Sequence, residues 1–262
     1  MQLITYPYRS LGFVMSLIIF LSLNLCNQSY AQRQSGYELM SPENQRMQND
    51  LNLNPAYFWI LDGQDIWNSK NNPKEQSCAS CHQDPKSTMR GVATKFPLER
   101  AGKLINLEQQ INYCQSERLS SKPFTFESKA LLAITTFVAT QSRGLPITTH
   151  QNSNFLKNAF QNGEMLFNQR MGQLNLSCAQ CHEQRAGLIL GGTKIPQAHP
   201  SAYPIYRLEW QNVGSLQRRL RNCMTGVRAE PFDYGSIELV QLELFLMRRA
   251  NGMLWETPGV RP

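Results

Sequence analysis

No stretch of this 262-residue chain needs reading as a membrane span, and none is built to read nucleic acid. The apolar run from Leu11 to Leu25 is shorter than the roughly 20 residues a helix needs to cross a bilayer, and it lies close to the start of the chain. No basic run with interleaved aromatics occurs, which sets aside a nucleic-acid groove. Acidic residues are in deficit, 19 against 26 Lys and Arg, and the resulting formal charge of +7 favours anionic substrates or acidic protein partners. Cysteine is sparse, with seven residues, and no two C-x-x-C pairs stand close enough to share a zinc ion across a short loop.

The cysteines that are present carry the chemistry. Cys78-Ala-Ser-Cys81-His82 recurs a hundred residues later as Cys178-Ala-Gln-Cys181-His182. In a C-x-x-C-H string the two thiols add to the vinyl groups of a haem, and the adjacent histidine reaches the iron from the same turn of backbone. Two copies read as a dihaem c-type cytochrome with two covalently bound haem c groups: Cys78, Cys81, Cys178 and Cys181 attach them, and His82 and His182 ligate the irons. Zinc or disulfide bonding of these pairs is the alternative, weakened by the 96 residues between Cys81 and Cys178.

Haem attachment of this kind belongs outside the cytoplasm, and the start of the chain agrees. Arg9, the apolar run and the small-x-small pattern Ser29-Tyr30-Ala31 predict a secretory signal peptide over residues 1–31, cut after Ala31, and hence a periplasmic protein without a stable membrane anchor. Lipid attachment at Cys26 is the alternative, but Leu25 before it is a poor match to the small residue such processing prefers. What remains after residue 31 is enough chain for two small domains.

An internal repeat sets the organisation. Gly63-Gln-Asp-Ile-Trp-Asn68 and Gly163-Glu-Met-Leu-Phe-Asn168 each begin fifteen residues ahead of a haem motif and read as the end of a short helix. Ser128 to Gly144 pairs with Ser236 to Gly252. Both runs have a capping serine, apolar residues at helical spacing and a glycine able to take the left-handed conformation at the end. Between motif and closing helix, Leu107-Glu-Gln-Gln-Ile-Asn-Tyr-Cys114 matches Leu216-Gln-Arg-Arg-Leu-Arg-Asn-Cys223. The fold expected is mainly α with few strands: two tandem cytochrome c-like domains related by internal duplication, residues 32–150 and 151–262.

Cys114 and Cys223 are left over, 32 residues after His82 and 41 after His182. In an oxidising compartment the simple expectation is a disulfide between them. Their matching places in two repeats favour instead that each faces its own haem as distal ligand. Met171, Met224, Met247 and Met253 occupy no matching positions and read as core filling, and His150 and His199 are likewise unmatched. A thiolate opposite histidine lowers the iron's potential, which suits chemistry better than simple electron carriage. The halves differ at one telling place, because Gln110 stands four residues before Cys114 where Arg219 stands before Cys223. That spacing puts Arg219 on the same helical face as Cys223, one turn earlier, where it could hold an oxyanion beside the sulfur. Arg218 and Arg221 read as a solvated basic face.

With these residues in hand the chain resembles the SoxA family, the subunits of the SoxAX cytochromes that act as L-cysteine S-thiosulfotransferases in bacterial thiosulfate oxidation. The likeness is strongest in Tyr206-Arg-Leu-Glu-Trp-Gln211, Arg218-Arg-Leu-Arg-Asn-Cys223, Gly226-Val-Arg-Ala-Glu-Pro231, Tyr234-Gly-Ser236 and Glu256-Thr-Pro-Gly-Val-Arg-Pro262. The resemblance implies that Cys223 is both distal ligand and catalytic persulfide, that Arg219 binds substrate, and that Cys114 ligates the first haem. It implies oxidative conjugation of thiosulfate to a cysteine of a carrier resembling SoxYZ, with electrons passing through a SoxX-like monohaem cytochrome to a soluble acceptor. One departure stands out: Leu188-Ile-Leu-Gly-Gly192 fills a place where the family carries a basic residue, and Lys194 is the nearest substitute. A thiosulfate dehydrogenase forming tetrathionate and a non-catalytic dihaem electron carrier are the rival readings.

Overall fold

Each half is built on a pair of crossed helices that approach unusually closely, and a glycine explains why. The structure, a computed structural model, describes residues 1, 2, 32–150 and 152–262, of which residues 34–262 form one compact unit. The expected signal peptide, its cleavage site and Cys26 fall outside the described residues. After α1 (Pro42–Asn49), helix α2 (Tyr57–Asn68) packs on α6 (Lys129–Thr140), and α7 (Asn154–Asn168) packs on α10 (Ile237–Arg249). A Cβ on Gly63 would lie 2.3 Å from the Ala133 carbonyl oxygen, and one on Gly163 would lie 2.1 Å from that of Gln241. Only glycine lets the backbones meet there. Ala133 and Gln241 are themselves equivalent positions of the repeat, so the same contact is made twice.

The sequence placed these helices correctly but underestimated their extent: Gly63 and Gly163 lie within helices of 12 and 15 residues that end at Asn68 and Asn168. Each haem motif is a single helical turn, α3 (Cys78–His82) and α8 (Cys178–His182), started by a reciprocal capping box. Ser77 accepts from the Ser80 amide at 3.1 Å, and Ser177 from that of Gln180 at 3.3 Å. After α4 (Pro85–Thr88), the hairpin β1 (Leu98–Arg100) and β2 (Lys103–Ile105) leads into α5 (Leu107–Tyr113). Its counterpart in the second half follows a minor hairpin, β3 (Ile189–Leu190) and β4 (Thr193–Lys194), and consists of β5 (Ile205–Arg207) and β6 (Asn212–Gly214) leading into α9 (Leu216–Gly226). The C-terminal strand β7 (Gly259–Arg261) adds to β5 in parallel, with Arg207 opposite Arg261.

Closing helices α6 and α10 start as expected at Ser128 and Ser236, whose side chains accept from Leu131 and Leu239 amides. They stop at Thr140 and Arg249, a few residues before the expected glycines. Gly144 and Gly252 do take positive φ, 78° and 83°, but they serve to turn the chain into an antiparallel pairing of the two halves. Gly144 N–H donates to Trp255 O at 2.8 Å and Gly252 N–H to Ile147 O at 2.9 Å, while Ile147 N–H donates to Met253 O and Trp255 N–H to Leu145 O. Each bond has its exact counterpart under exchange of the halves, so a pseudo-twofold axis runs between them.

The main core crosses that axis. Ile60, Trp67, Leu131, Ile134 and Phe137 of the first half pack in one buried cluster with Met247, Ala250 and Trp255 of the second. A second cluster, with Phe167, Leu242 and Phe245, lies under the second haem motif. A cavity of about 50 Å³ lies near the axis, lined by equivalent residues of both halves, among them Phe96 and Tyr203, Leu107 and Leu216, Thr135 and Glu243. Glu108 also faces it. Burial pushes both carboxyls up, Glu108 to about 7 and Glu243 to about 8, and Asn106 Nδ2 donates to Glu243 Oε1 at 3.0 Å.

Candidate functional site

The helices that carry Cys114 and Cys223 bring each of these sulfurs to its own haem motif. Burial pushes the Cys78 thiol up to about 11, with the Cys114 sulfur as the next contributor. Cys178 is likewise pushed up to about 11 by burial, with Cys223 next. Cys114 and Cys223 are not joined to each other, and each lies in its own half beside its own C-x-x-C pair.

The two attachment turns differ in exposure. Cys81 and His82 are exposed, with the His82 ring 5.8 Å from that of Trp67, whereas Cys181 and His182 are half-buried. His182 Nδ1–H donates to the Pro196 carbonyl at 2.7 Å, which fixes the ring and leaves Nε2 to serve as a ligand. Burial lowers the pKa of His182; the Pro196 bond opposes this, while nearby Arg219 and Arg249 add to it. Two thiols on one turn, a neutral oriented imidazole and a further sulfur nearby are the donor set that a covalently bound haem c requires.

Around Cys223 the three arginines of α9 part ways. Arg218 lies over the Trp210 ring at 4.3 Å, and Arg221 hydrogen-bonds the Phe232 carbonyl and lies 4.5 Å over Tyr234. Neither is simply solvated, as the sequence suggested; both are tied to aromatic faces. Arg219, half-buried, makes no hydrogen bond or ion pair among the described residues. Its electrostatic neighbours are His182, Tyr203 and Arg207. Lys194 is exposed on the β3–β4 hairpin, beside the exposed Leu188, Ile189 and Leu190. Met224 and Met247 are buried core residues, as expected of them.

Tyr203, Arg207 and Arg249 are the site's neighbours that sequence reasoning missed. Arg249 pairs with Glu183 and lies 5.0 Å over Phe167, behind the second haem motif. Extending the repeat upstream would have found the other two, because Tyr203 answers Phe96 and Arg207 answers Arg100 in the paired hairpins.

Two C-x-x-C-H turns, each followed by a hairpin, a cysteine-bearing helix and a closing helix, define a protein of duplicated cytochrome c domains. The family description "SoxA/TsdA, cytochrome c domain" matches residues 62–147 and 162–254, one match per half, and the chain belongs to that family. The L-cysteine S-thiosulfotransferase subunit SoxA of Pseudaminobacter salicylatoxidans is 33% identical over 229 residues, 87% of this chain and 80% of that protein. The corresponding subunit of Paracoccus pantotrophus is 31% identical over 87% of this chain and 78% of its own length. The crystal structure of SoxXA from P. pantotrophus superposes with a TM-score of 0.84 at 31% identity, covering 88% of this chain and 87% of that one.

Proposed function

We propose that this chain is the catalytic subunit of an L-cysteine S-thiosulfotransferase, conjugating thiosulfate oxidatively to a cysteine of a sulfur-carrier protein resembling SoxYZ. The observation that carries the reading is Arg219, a half-buried guanidinium without a hydrogen-bond or ion-pair partner among the described residues, one helical turn before Cys223. A dianion held there would have its sulfur presented to the Cys223 sulfur.

Residues 32–150 carry one haem c and residues 151–262 the other. Cys78 and Cys81 would attach the first, which His82 and Cys114 would also hold; Cys178 and Cys181 would attach the second, which His182 and Cys223 would also hold. When bound, haem c would supply one-electron redox chemistry at these residues, with a SoxX-like monohaem cytochrome and a soluble acceptor as the onward path. The chain's own residues do the rest. Cys223 acts as a persulfide, Arg219 binds and orients thiosulfate, and Pro196 holds the His182 ring. Oxidation joins the outer sulfur of thiosulfate to the persulfide, and two electrons leave. The carrier's thiolate then attacks that outer sulfur, forming the carrier–thiosulfonate conjugate and returning Cys223 to its persulfide. The protein works in the periplasm after removal of residues 1–31. No helix among the described residues is long and apolar enough to cross a membrane.

Intact mass and peptide mapping of haem-loaded protein test this reading. Two haems, a start at Gln32 and about 32 Da extra on the Cys223 peptide, one sulfur atom, are expected. Carrier conjugation is expected with thiosulfate as donor; tetrathionate as the product would replace the transferase by a dehydrogenase.

A further inference from the structure

The two halves can be compared position by position around their helix cysteines. In the first half the contacts close on themselves. Arg100 Nη1 donates to Gln110 Oε1 at 2.7 Å, and Gln110 Nε2 donates to Cys114 Sγ at 3.3 Å. Arg100 also lies 4.0 Å over the Tyr113 ring. The glutamine is both acceptor and donor, so it bridges the guanidinium and the sulfur.

In the second half Arg207 takes the place of Arg100, but Arg219 takes the place of Gln110. An arginine cannot accept from an arginine, so two cations face each other where the first half has a closed hydrogen-bonded chain. Arg207 gives one arm to Glu209 at 2.8 Å and lies 5.3 Å from the Trp210 ring, yet its Nε is buried with no partner. Arg219 has no partner among the described residues. The third difference is Tyr203 where the first half has Phe96. It adds a hydroxyl, without a hydrogen-bond partner among the described residues, in the electrostatic reach of Arg219, Arg207 and Cys223.

Folding does not explain this arrangement. An orphaned buried donor destabilises the fold, and like charges beside one another in a low dielectric add to that. Burial lowers the pKa of Arg207, and Arg219 lowers it further. Burial raises that of Tyr203, so its hydroxyl keeps its proton and can donate. The buried Nε of Arg207 lacks an acceptor, and Arg219 and the Tyr203 hydroxyl have none among the described residues, which suits an anion with several oxygens.

We infer that Arg207, Arg219 and Tyr203 together form an oxyanion site beside Cys223 that takes the sulfonate end of thiosulfate. This deepens the reading above and rests on it. Arg219 does not act alone: Arg207 grips the sulfonate from the strand side, and Tyr203 closes the site from the loop before β5. The geometry selects against hydrosulfide and small thiols, which carry a sulfur but no oxygens.

The test is equilibrium binding of thiosulfate to the oxidised haem-loaded protein in the absence of carrier, followed by calorimetry. Arg207→Gln is expected to weaken binding at least tenfold, and Tyr203→Phe, which restores the first half's residue, about three- to tenfold. Arg100→Gln, the matching change in the first half, leaves thiosulfate binding as in the wild type. Should Arg207→Gln lose its haem or melt early, Arg207→Lys keeps the charge without the planar fork and still binds more weakly. Wild-type affinity in a folded Arg207→Gln or Arg207→Lys protein overturns the inference. A wild type that binds thiosulfate in an Arg207-dependent way but never loads a carrier cysteine would overturn the transferase reading and leave this site standing.

Discussion

The Nε2 of Gln110 donates to the Sγ of Cys114 at 3.3 Å, and in the other half the residue at the same place is Arg219, which touches no acceptor. One substitution between repeats thus separates a sulfur satisfied by its own helix from a sulfur beside an uncommitted cation. Arg219→Gln should therefore restore the first half's residue at this one place. Loss of a charge-assisted contact of about 1.5–3 kcal/mol predicts a fall of about one to two orders of magnitude in thiosulfate kcat/KM. The haem content of the variant should be unchanged, which steady-state assay and pyridine haemochrome spectra would check together.

Gly163→Ala gives a prediction whose sign opposes helix propensity. Alanine in a helix interior is favoured over glycine by about 1 kcal/mol, but here its Cβ would meet the Gln241 carbonyl oxygen at 2.1 Å and Phe245 Cβ at 2.9 Å. Both helices are long and buried at the crossing, so neither can give way locally. A net loss of about 1–3 kcal/mol is expected, seen as a Tm lower by several degrees in the haem-loaded protein. An unchanged or raised Tm would show that α7 and α10 are not packed this closely.

The carboxyls of Glu108 and Glu243 predict an unusual pH dependence. Both are raised by burial, to about 7 and about 8, well above the usual glutamate range. The folded protein therefore holds protons that the unfolded chain releases near pH 4.3. Because the unfolded state binds fewer protons in that window, stability falls as pH rises from about 4.5 to about 8. Denaturant midpoints across this range should decline in the wild type and decline less in Glu243→Gln, which keeps the side chain's shape and an acceptor for Asn106.

Cys114 and Cys223 should respond differently to the same change. Cys223→Ser is expected to abolish conjugation and to alter the absorption of one haem. Cys114→Ser should alter that of the other and leave thiosulfate turnover within about twofold, since the cation of the first half, Arg100, is already bonded to Gln110. Equal loss of turnover in both variants would assign the first haem a place in the chemistry.

Much of this was legible in the sequence because the repeat was read as a constraint. The haem motifs, Gly63 and Gly163, the capping serines and the pairing of Cys114 with Cys223 as equivalent positions all depend on local pattern, and each is found where its chemistry demands. What stayed hidden depends on tertiary contact. Arg207 ends a strand of three residues, too short to show a period, and Tyr203 lies in the loop before it. Gly144 and Gly252 looked like helix stops because positive φ is common there; their role in pairing the halves needs the partner segment to be seen. The Arg218 and Arg221 stacks on Trp210 and Tyr234 join residues eight and thirteen apart, across turns that carry no periodic signal.

The exchange of hydrogen bonds between Gly144–Ile147 and Gly252–Trp255 is self-complementary, each segment offering what it receives. A seam of this kind needs no second sequence: a single repeat could form it with another copy of itself. Joining the copies into one polypeptide turns a concentration-dependent encounter into an intramolecular one without adding a contact. Once covalently joined, the two sides are free to diverge, and they have done so around the sulfurs while the seam has kept its symmetry. One side carries the settled glutamine, and the other a cation that no acceptor among the described residues satisfies.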